Sequence, residues 1–466
     1  MNRPKGESPR VLVVATNVER EPFPVYPLGA SMVSRALERS GVQVRGVDLA
    51  TAEDPERELA EVIEHLDPEL VALSIRAVDN VSLVDSRFYL PPVADIVRKV
   101  REMSRAPLVL GGSGYSLLPR PILLFLEGDF GIVGEGEESL ARLAWQVHRG
   151  ESPVPGRGLY VRRGDVVEGE GRSAPVDPVG WGEPSFDIFP IKTYLLTGGS
   201  APVQTKRGCD QYCSYCSYPL LEGRAFRVRD PSAAAALMER AAATGAQHLH
   251  IVDNNFNMPA EHGSAVCAEL ASRSFQIPWT CYAAPKALDA GLTKAMASAS
   301  CVSAEVGSEA GAEATLKAMR KSHTPEDIIL ADRCLGDAGI TPAHFFIFGG
   351  PGETWETVEA TLELIGRLTG VVASMMALRI YPGTALHLRA LREGVVSRED
   401  DLLEPVFYLS RGLKAERLLE RLLAFAASHP RFLILGHPVN ANAPVLERFR
   451  RRGRQGPLWE FYQRAR

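Results

Sequence analysis

Over the first 150 residues, short and largely apolar runs alternate with stretches in which apolar residues recur every three or four places. Val11-Leu12-Val13-Val14-Ala15 is the first run, and residues 42–48, 70–75, 107–110 and 131–133 follow it. The amphipathic stretches are residues 28–40, 55–66, part of 91–103, and 137–148. Runs of this kind separated by helices are covered on both faces and predict a parallel, doubly wound sheet. Ligands of such sheets bind beyond the carboxyl ends of the strands. Three glycine-bearing segments fall at those ends: Pro27-Leu28-Gly29, Gly111-Gly112-Ser113-Gly114 and Gly134-Glu135-Gly136-Glu137.

The pattern lapses over residues 151–195, where Pro153, Pro155, Gly156, Pro175, Pro178, Gly180, Gly182 and Pro184 mark a linker with a short hairpin around Arg163-Gly164. Strand patterns resume at residues 203–206, 248–252, 279–283, 302–306, 344–348 and 373–380, with helical patterns between them. Six parallel strands joined by crossover helices predict a partial (β/α)6 TIM-type barrel, whose chemistry sits at the carboxyl ends of its strands. The chain thus reads as α/β: a Rossmann-like domain (1–150), a linker (151–195), a partial barrel (196–395) and a small helical C-terminal region (396–466).

A chain of 466 residues is too long for one ordinary core, which agrees with that division. The net charge of −5 argues against a polyanionic partner, so nucleic acid is not expected. The Arg-rich tail over 448–466, with Trp459, Phe461 and Tyr462, reads as a helix face packing its aromatics inward. No apolar run reaches the length of a membrane span, and the start of the chain lacks a signal-peptide core; a cytoplasmic protein is expected. G-x-G-x-x-G is missing after the first strand, which disfavours a nicotinamide or flavin.

The strongest chemical signal is Lys206-Arg207-Gly208-Cys209-Asp210-Gln211-Tyr212-Cys213-Ser214-Tyr215-Cys216. Three thiolates on one short loop can each take one iron of a four-iron, four-sulfur cube and leave the fourth open to a small ligand. A closed zinc site needs four ligands, and no further Cys or His appears before His248. A disulfide framework suits small secreted chains. Cys267, Cys281, Cys301 and Cys334 stand singly in apolar segments and read as small core residues.

This loop resembles the C-x3-C-x-aromatic-C signature of the radical S-adenosylmethionine (SAM) superfamily, with Tyr215 in the aromatic place. The resemblance implies a [4Fe-4S] cluster on Cys209, Cys213 and Cys216, with SAM chelating the open iron. An electron from an external flavodoxin- or ferredoxin-type donor would then cleave SAM to methionine and a 5'-deoxyadenosyl radical. The N-terminal layout resembles a cobalamin (vitamin B12) binding domain, implying contacts from Gly29, Gly111, Gly112, Ser113, Gly134, Glu135 and Gly136. Glycines let backbone approach a bulky corrin, although the same segments also suit ordinary strand-to-helix turns. The Asp-x-His-x-x-Gly loop of many cobalamin enzymes is missing; His65 and His148 lie in helical patterns, so the resemblance implies cobalt with no histidine below it.

The second domain resembles a cobalamin-dependent radical SAM subgroup, and the likeness spans roughly residues 10 to 410. It implies that Asp253 and Asn254 meet the SAM ammonium, Ser308 and Glu309 the ribose, and Gly349 and Gly350 the adenine edge. Asp253-Asn254-Asn255 also reads as a helix cap, and Pro351-Gly352-Glu353-Thr354 as a helix start. Arg379 is expected either at the SAM carboxylate or cobalamin, or in an ordinary salt bridge. The implied activity is methyl transfer from methylcobalamin to an unactivated carbon of a small-molecule substrate, after hydrogen abstraction by the 5'-deoxyadenosyl radical. A non-methylating enzyme of the same architecture and a cobalamin or redox sensor are the rival readings. The sequence names neither the substrate nor a catalytic residue.

Overall fold

The structure, a computed structural model, describes residues 7–20, 24–438, 448, 452–457 and 459. Its first sheet is built from β1 (Arg10–Ala15), β2 (Gln43–Asp48), β3 (Leu70–Ser74), β4 (Leu108–Gly111), β5 (Phe130–Ile132), β6 (Leu159–Arg163) and β7 (Val166–Glu168) in the order β2-β1-β3-β4-β5-β6-β7. The first five strands are parallel, as their apolar runs require. Alternate residues of β1 serve different cores: Val11, Val13 and Ala15 one, Leu12 and Val14 the other. The expected hairpin is β6–β7, but it is no free linker. It pairs antiparallel with β5, Phe130 opposite Val161, and so widens the first sheet.

The second domain opens with β8 (Ala201–Val203), then the antiparallel ribbon of β9 (Lys206–Arg207) and β10 (Arg227–Val228). The strands β11 (Leu249–Ile251), β12 (Trp279–Ala283), β13 (Cys301–Glu309), β14 (Thr341–Phe348) and β15 (Val371–Met376) follow. A second ribbon, β16 (Leu378–Arg379) with β17 (Phe407–Tyr408), precedes β18 (Phe432–Ile434). The main sheet has the order β18-β15-β14-β13-β12-β11-β8, and every neighbouring pair is parallel. Its two edge strands do not pair, so the barrel is partial, as expected.

Three details depart from the sequence reading. The strand expected at 203–206 divides between the main sheet and the β9–β10 ribbon. The strand expected at 373–380 breaks at Ala377, whose φ of 63° turns the chain away. The C-terminal region contains the helix Ala415–Ser428 but also β18, a seventh parallel strand where six were expected. Of the aromatic tail, Trp459 donates to Ser303 Oγ at 3.0 Å and stands edge-on to Phe345, while Phe461 and Tyr462 lie outside the described residues.

The domains share apolar cores: Val11 and Val13 belong to the same buried cluster as Val203 and Trp279. A fully buried ion pair joins them as well, with Arg379 Nε 2.8 Å from Asp79 Oδ2.

Candidate active site

A cavity of about 500 Å³ lies where the carboxyl ends of β1, β3, β4 and β5 face the second domain. The β1–β3 contact is the switch point of the first sheet, where a doubly wound fold opens a crevice. Gly29, Gly111, Gly112, Ser113, Gly134, Glu135 and Gly136, all expected to line a ligand, border this one space. A β-carbon built on Gly29 meets nothing within 4 Å, and one on Gly111 meets only the Ile132 carbonyl at 4.0 Å. Their missing side chains leave room that no protein atom fills. Gly112 answers a different demand: at φ 97°, its β-carbon would lie 2.5 Å from the Ile75 carbonyl oxygen. His65 and His148 do not border the cavity.

Glu135 corrects an expectation, because its carboxylate is held by protein. It pairs with Arg207 at 3.0 Å and with Arg227, and accepts from the Val176 N–H. Arg207 also pairs with Glu137 at 2.6 Å. Arg207, Arg227 and Arg229 lie over the ring of buried Trp181. The turn bordering the cavity is thereby tied to a residue two places before Cys209.

Cys209, Cys213 and Cys216 are free thiols on the loop between β9 and the helix Tyr218–Leu221. Gly208 adopts φ 91° just before Cys209, and a β-carbon there would collide with the Ala225 carbonyl. Burial pushes the Cys216 thiol up to about 12, with the Cys213 and Cys209 sulfurs close enough to add to the effect. Among the described residues, no three His, Cys, Asp or Glu side chains converge as ligands of a single metal ion do.

The remaining expected residues separate. Asp253 does not face a ligand: its carboxylate accepts from the Thr205 N–H at 2.8 Å, the Lys206 N–H at 3.1 Å and the Thr205 hydroxyl. It holds the approach to the cysteine loop in place. Asn254 donates its Nδ2 to Glu222 at 2.9 Å, and its buried Oδ1 has no partner. Ser308 points away from the barrel interior and hydrogen-bonds His344 Nδ1 at 2.8 Å, and His344 Nε2 lies 3.1 Å from Asp332. This Ser-His-Asp chain is buried throughout, and Asp332 also accepts from Thr369 and Gly370, so it braces helix to strand.

Glu309 faces inward beside Tyr215, 3.1 Å from Lys321 Nζ, in a left-handed conformation with φ 67°. Burial opposes charge on Lys321, but Glu309 and the Cys213 sulfur outweigh it and hold the ammonium above its ordinary range. Gly349 and Gly350 offer no opening to adenine, because Leu409 and Met319 fill the places their β-carbons would take. The segment after them is the helix start foreseen, with Thr354 and Thr357 forming a capping box. Arg379 is the salt bridge, not a cofactor contact: besides Asp79, it donates to the carbonyls of Ile380 and Leu402.

Several residues at the site were given no individual role by the sequence reading. Glu222 borders the cavity and receives the Gly208 N–H at 3.0 Å; burial raises its pKa. Tyr218 exposes 45% of its surface, yet burial lifts its phenol to about 12; what it exposes faces an interior space. Arg76, at the end of β3, borders the same cavity. A polar residue in an apolar run was the available signal for Glu222, whereas Tyr218 and Arg76 carried none.

The chain matches the family model "Radical SAM superfamily" over residues 203–365 and "B12 binding domain" over residues 14–144. It is a cobalamin-dependent radical SAM enzyme. The enzyme is 25% identical over 446 residues to the tryptophan 2-C-methyltransferase of Streptomyces laurentii, covering 80% of this chain and 73% of that one. Its fold matches that of the radical SAM methyltransferase TsrM from Kitasatospora setae, solved with cobalamin and a [4Fe-4S] cluster, at a TM-score of 0.85 and 24% identity over 98% of each chain. It also matches the cobalamin-dependent SAM radical enzyme OxsB, at 0.75 and 17% identity over 91% of this chain and 67% of that one. The enzyme belongs with the methyltransferases of this group and takes a [4Fe-4S] cluster, SAM and cobalamin as cofactors. Among the described residues no helix is long and apolar enough to cross a membrane.

The residues present suit these groups. Three free thiols on one loop are a donor set for three irons. The orphaned Asn254 Oδ1 is an acceptor for an ammonium. At Gly29 and Gly111 the cavity wall is backbone with open space before it, which suits a broad ligand.

Proposed function

We propose that the enzyme methylates an unactivated carbon of a small molecule. The observation that carries this reading is the shared cavity: glycines at the ends of β4 and β5 border the same space as Tyr218 and Glu222, which follow the cysteine loop. A methyl donor and a radical source have to meet one substrate, and the residues just after the cysteine loop share a wall with the glycine segments. The tryptophan methyltransferase named above supports transfer to carbon.

In this reading Cys209, Cys213 and Cys216 hold the cluster, and Asn254, Glu309 and Tyr215 hold SAM. Gly29, Gly111, Gly112, Ser113, Gly134 and Gly136 cradle the corrin. When bound, SAM and the cluster supply the hydrogen-abstracting 5'-deoxyadenosyl radical and cobalamin supplies the methyl group, with electrons drawn from a flavodoxin- or ferredoxin-type donor. The protein's own part is placement. Asp253 fixes the backbone of Thr205 and Lys206 ahead of the loop, and Arg207 locks that segment to the corrin-side turn. The apolar walls Val13, Leu28, Val109 and Leu140 keep water out of the cavity.

Anaerobic reconstitution with iron, sulfide and hydroxocobalamin, then SAM and dithionite, tests the proposal through spectra and product mass spectrometry. Bound corrin with both 5'-deoxyadenosine and S-adenosylhomocysteine is expected, and Cys213→Ala is expected to lose the 5'-deoxyadenosine. A cluster that cleaves SAM in a chain that retains no corrin would overturn it.

A further inference from the structure

Deeper in the barrel, three polar side chains share a layer that neither the cysteine loop nor the corrin cradle uses. Strand register sets Tyr282 level with Glu305, and His250 level with Thr280 on the neighbouring strand. Residues on either side of each, Leu249 and Ile251, Cys281 and Ala283, Ala304 and Val306, lie in the core beneath the helices. Alternation therefore turns His250, Tyr282 and Glu305 into the barrel. The His250 and Tyr282 rings meet edge to face, with centroids 4.9 Å apart.

Glu305 is an acceptor without a donor. It is 7% exposed, and among the described residues no group hydrogen-bonds to it. His250 Nδ1 approaches to 3.7 Å, but that nitrogen is already engaged with Thr280 Oγ1 at 2.8 Å. His250 Nε2 is buried with no partner at all. Tyr282 exposes 38% of its surface; the Glu305 charge first, then burial and Tyr218, hold its phenol well above the ordinary range while Arg76 opposes, and Tyr218 and Arg76 both border the cavity. The layer thus adjoins the space between the domains. Along β13 it lies four residues before Glu309, with the irregular step between Gly307 and Glu309 intervening.

We infer that Glu305, flanked by His250 and Tyr282, anchors the substrate and selects one that carries an ammonium or ring N–H group. This rests on the reading that the barrel holds a small-molecule substrate. A buried carboxyl group lacking a donor is unfavourable unless a ligand brings one. An N–H or ammonium group completes Glu305, and the free His250 nitrogen offers a second hydrogen bond. A substrate carboxylate brings no N–H to Glu305 and would stand beside a like charge whenever that group is ionised. Burial alone lifts the Glu305 carboxyl to about 8, as befits a group whose charge awaits a partner.

The test uses the enzyme loaded with cluster and cobalamin, and three probes sharing a ring: phenethylamine, 2-phenylethanol and 3-phenylpropionate. Equilibrium binding to the wild type is expected to favour the amine over the carboxylate by about tenfold or more. Glu305→Gln should bring that ratio near one while keeping the corrin and cluster spectra, which report an intact fold. Glu305→Asp should restore part of the preference. A wild type without amine preference, including one that binds none of the probes, or a Glu305→Gln variant that keeps it, overturns the anchor. Failure of the methyltransferase reading shows elsewhere, in missing corrin or missing S-adenosylhomocysteine, so the two failures are distinguishable.

Discussion

Glu305 keeps a proton that an exposed carboxylate would release. Burial raises its pKa from 4.5 to about 8, so between those values the folded chain binds a proton that the unfolded chain has lost. Its contribution to stability is therefore whole below about pH 4.5 and drains away as pH rises through about 8. Glu305→Gln has no proton to lose. Its thermal midpoint should gain on the wild type by on the order of a few degrees between pH 5 and pH 8; a constant gap in melting experiments would show that Glu305 is ionised in the folded state. The limits of sequence reading are plainest at this scale. Asp253 and Asn254 were expected to touch the same ligand group, and so were Ser308 and Glu309. Neither pair is regular strand: Asp253 and Asn254 lie in a bend, and Glu309 is left-handed at an irregular step of β13, so adjacency does not set the two side chains alike. Asp253 and Ser308 are taken up by hydrogen bonds within the fold, whereas Asn254 keeps a free buried oxygen and Glu309 pairs with Lys321.

At the scale of elements, apolar runs and caps were legible because they are local. The strand Trp279–Ala283 lies where its sequence pattern predicts, and Thr354 opens its helix with a capping box. β18 was not legible: its three residues become a strand only because β15 offers an edge. The same holds for the ribbon of β9 and β10, which exists to present the cysteine loop. Arg207 in β9 is buried against Glu135 and Glu137, each with under a tenth of its side chain exposed. Arg207→Met leaves the buried Glu137 carboxylate unpaired, while Glu135 keeps Arg227, and should destabilise the enzyme by about 3–5 kcal/mol. Adding Glu137→Gln should recover part of that loss in a double-mutant cycle followed by thermal denaturation. Strictly additive effects would mean that the ion pair contributes nothing.

For the whole molecule, the site is a seam. Ten residues of the glycine segments converge with Tyr218, Glu222 and Tyr381 from the other domain, and no local pattern in the chain announces that meeting. Each half was readable alone, whereas the contacts that join them, Asp79 with Arg379 and Glu137 with Arg207, span 300 and 70 positions. Gly111→Leu places a side chain where none now stands. It should cut retained corrin about tenfold or more while leaving iron and sulfide content unchanged, since the lost space lies on one side of the seam only. Full corrin retention in that variant would remove Gly111 from the cradle. Arg207 carries the last consequence. It grips the turn at the cavity's edge and stands two residues from Cys209. Coupling between two binding sites is reciprocal, equal in both directions. Whatever corrin binding does to steady the thiols through this arginine, an assembled cube does for the corrin by the same factor.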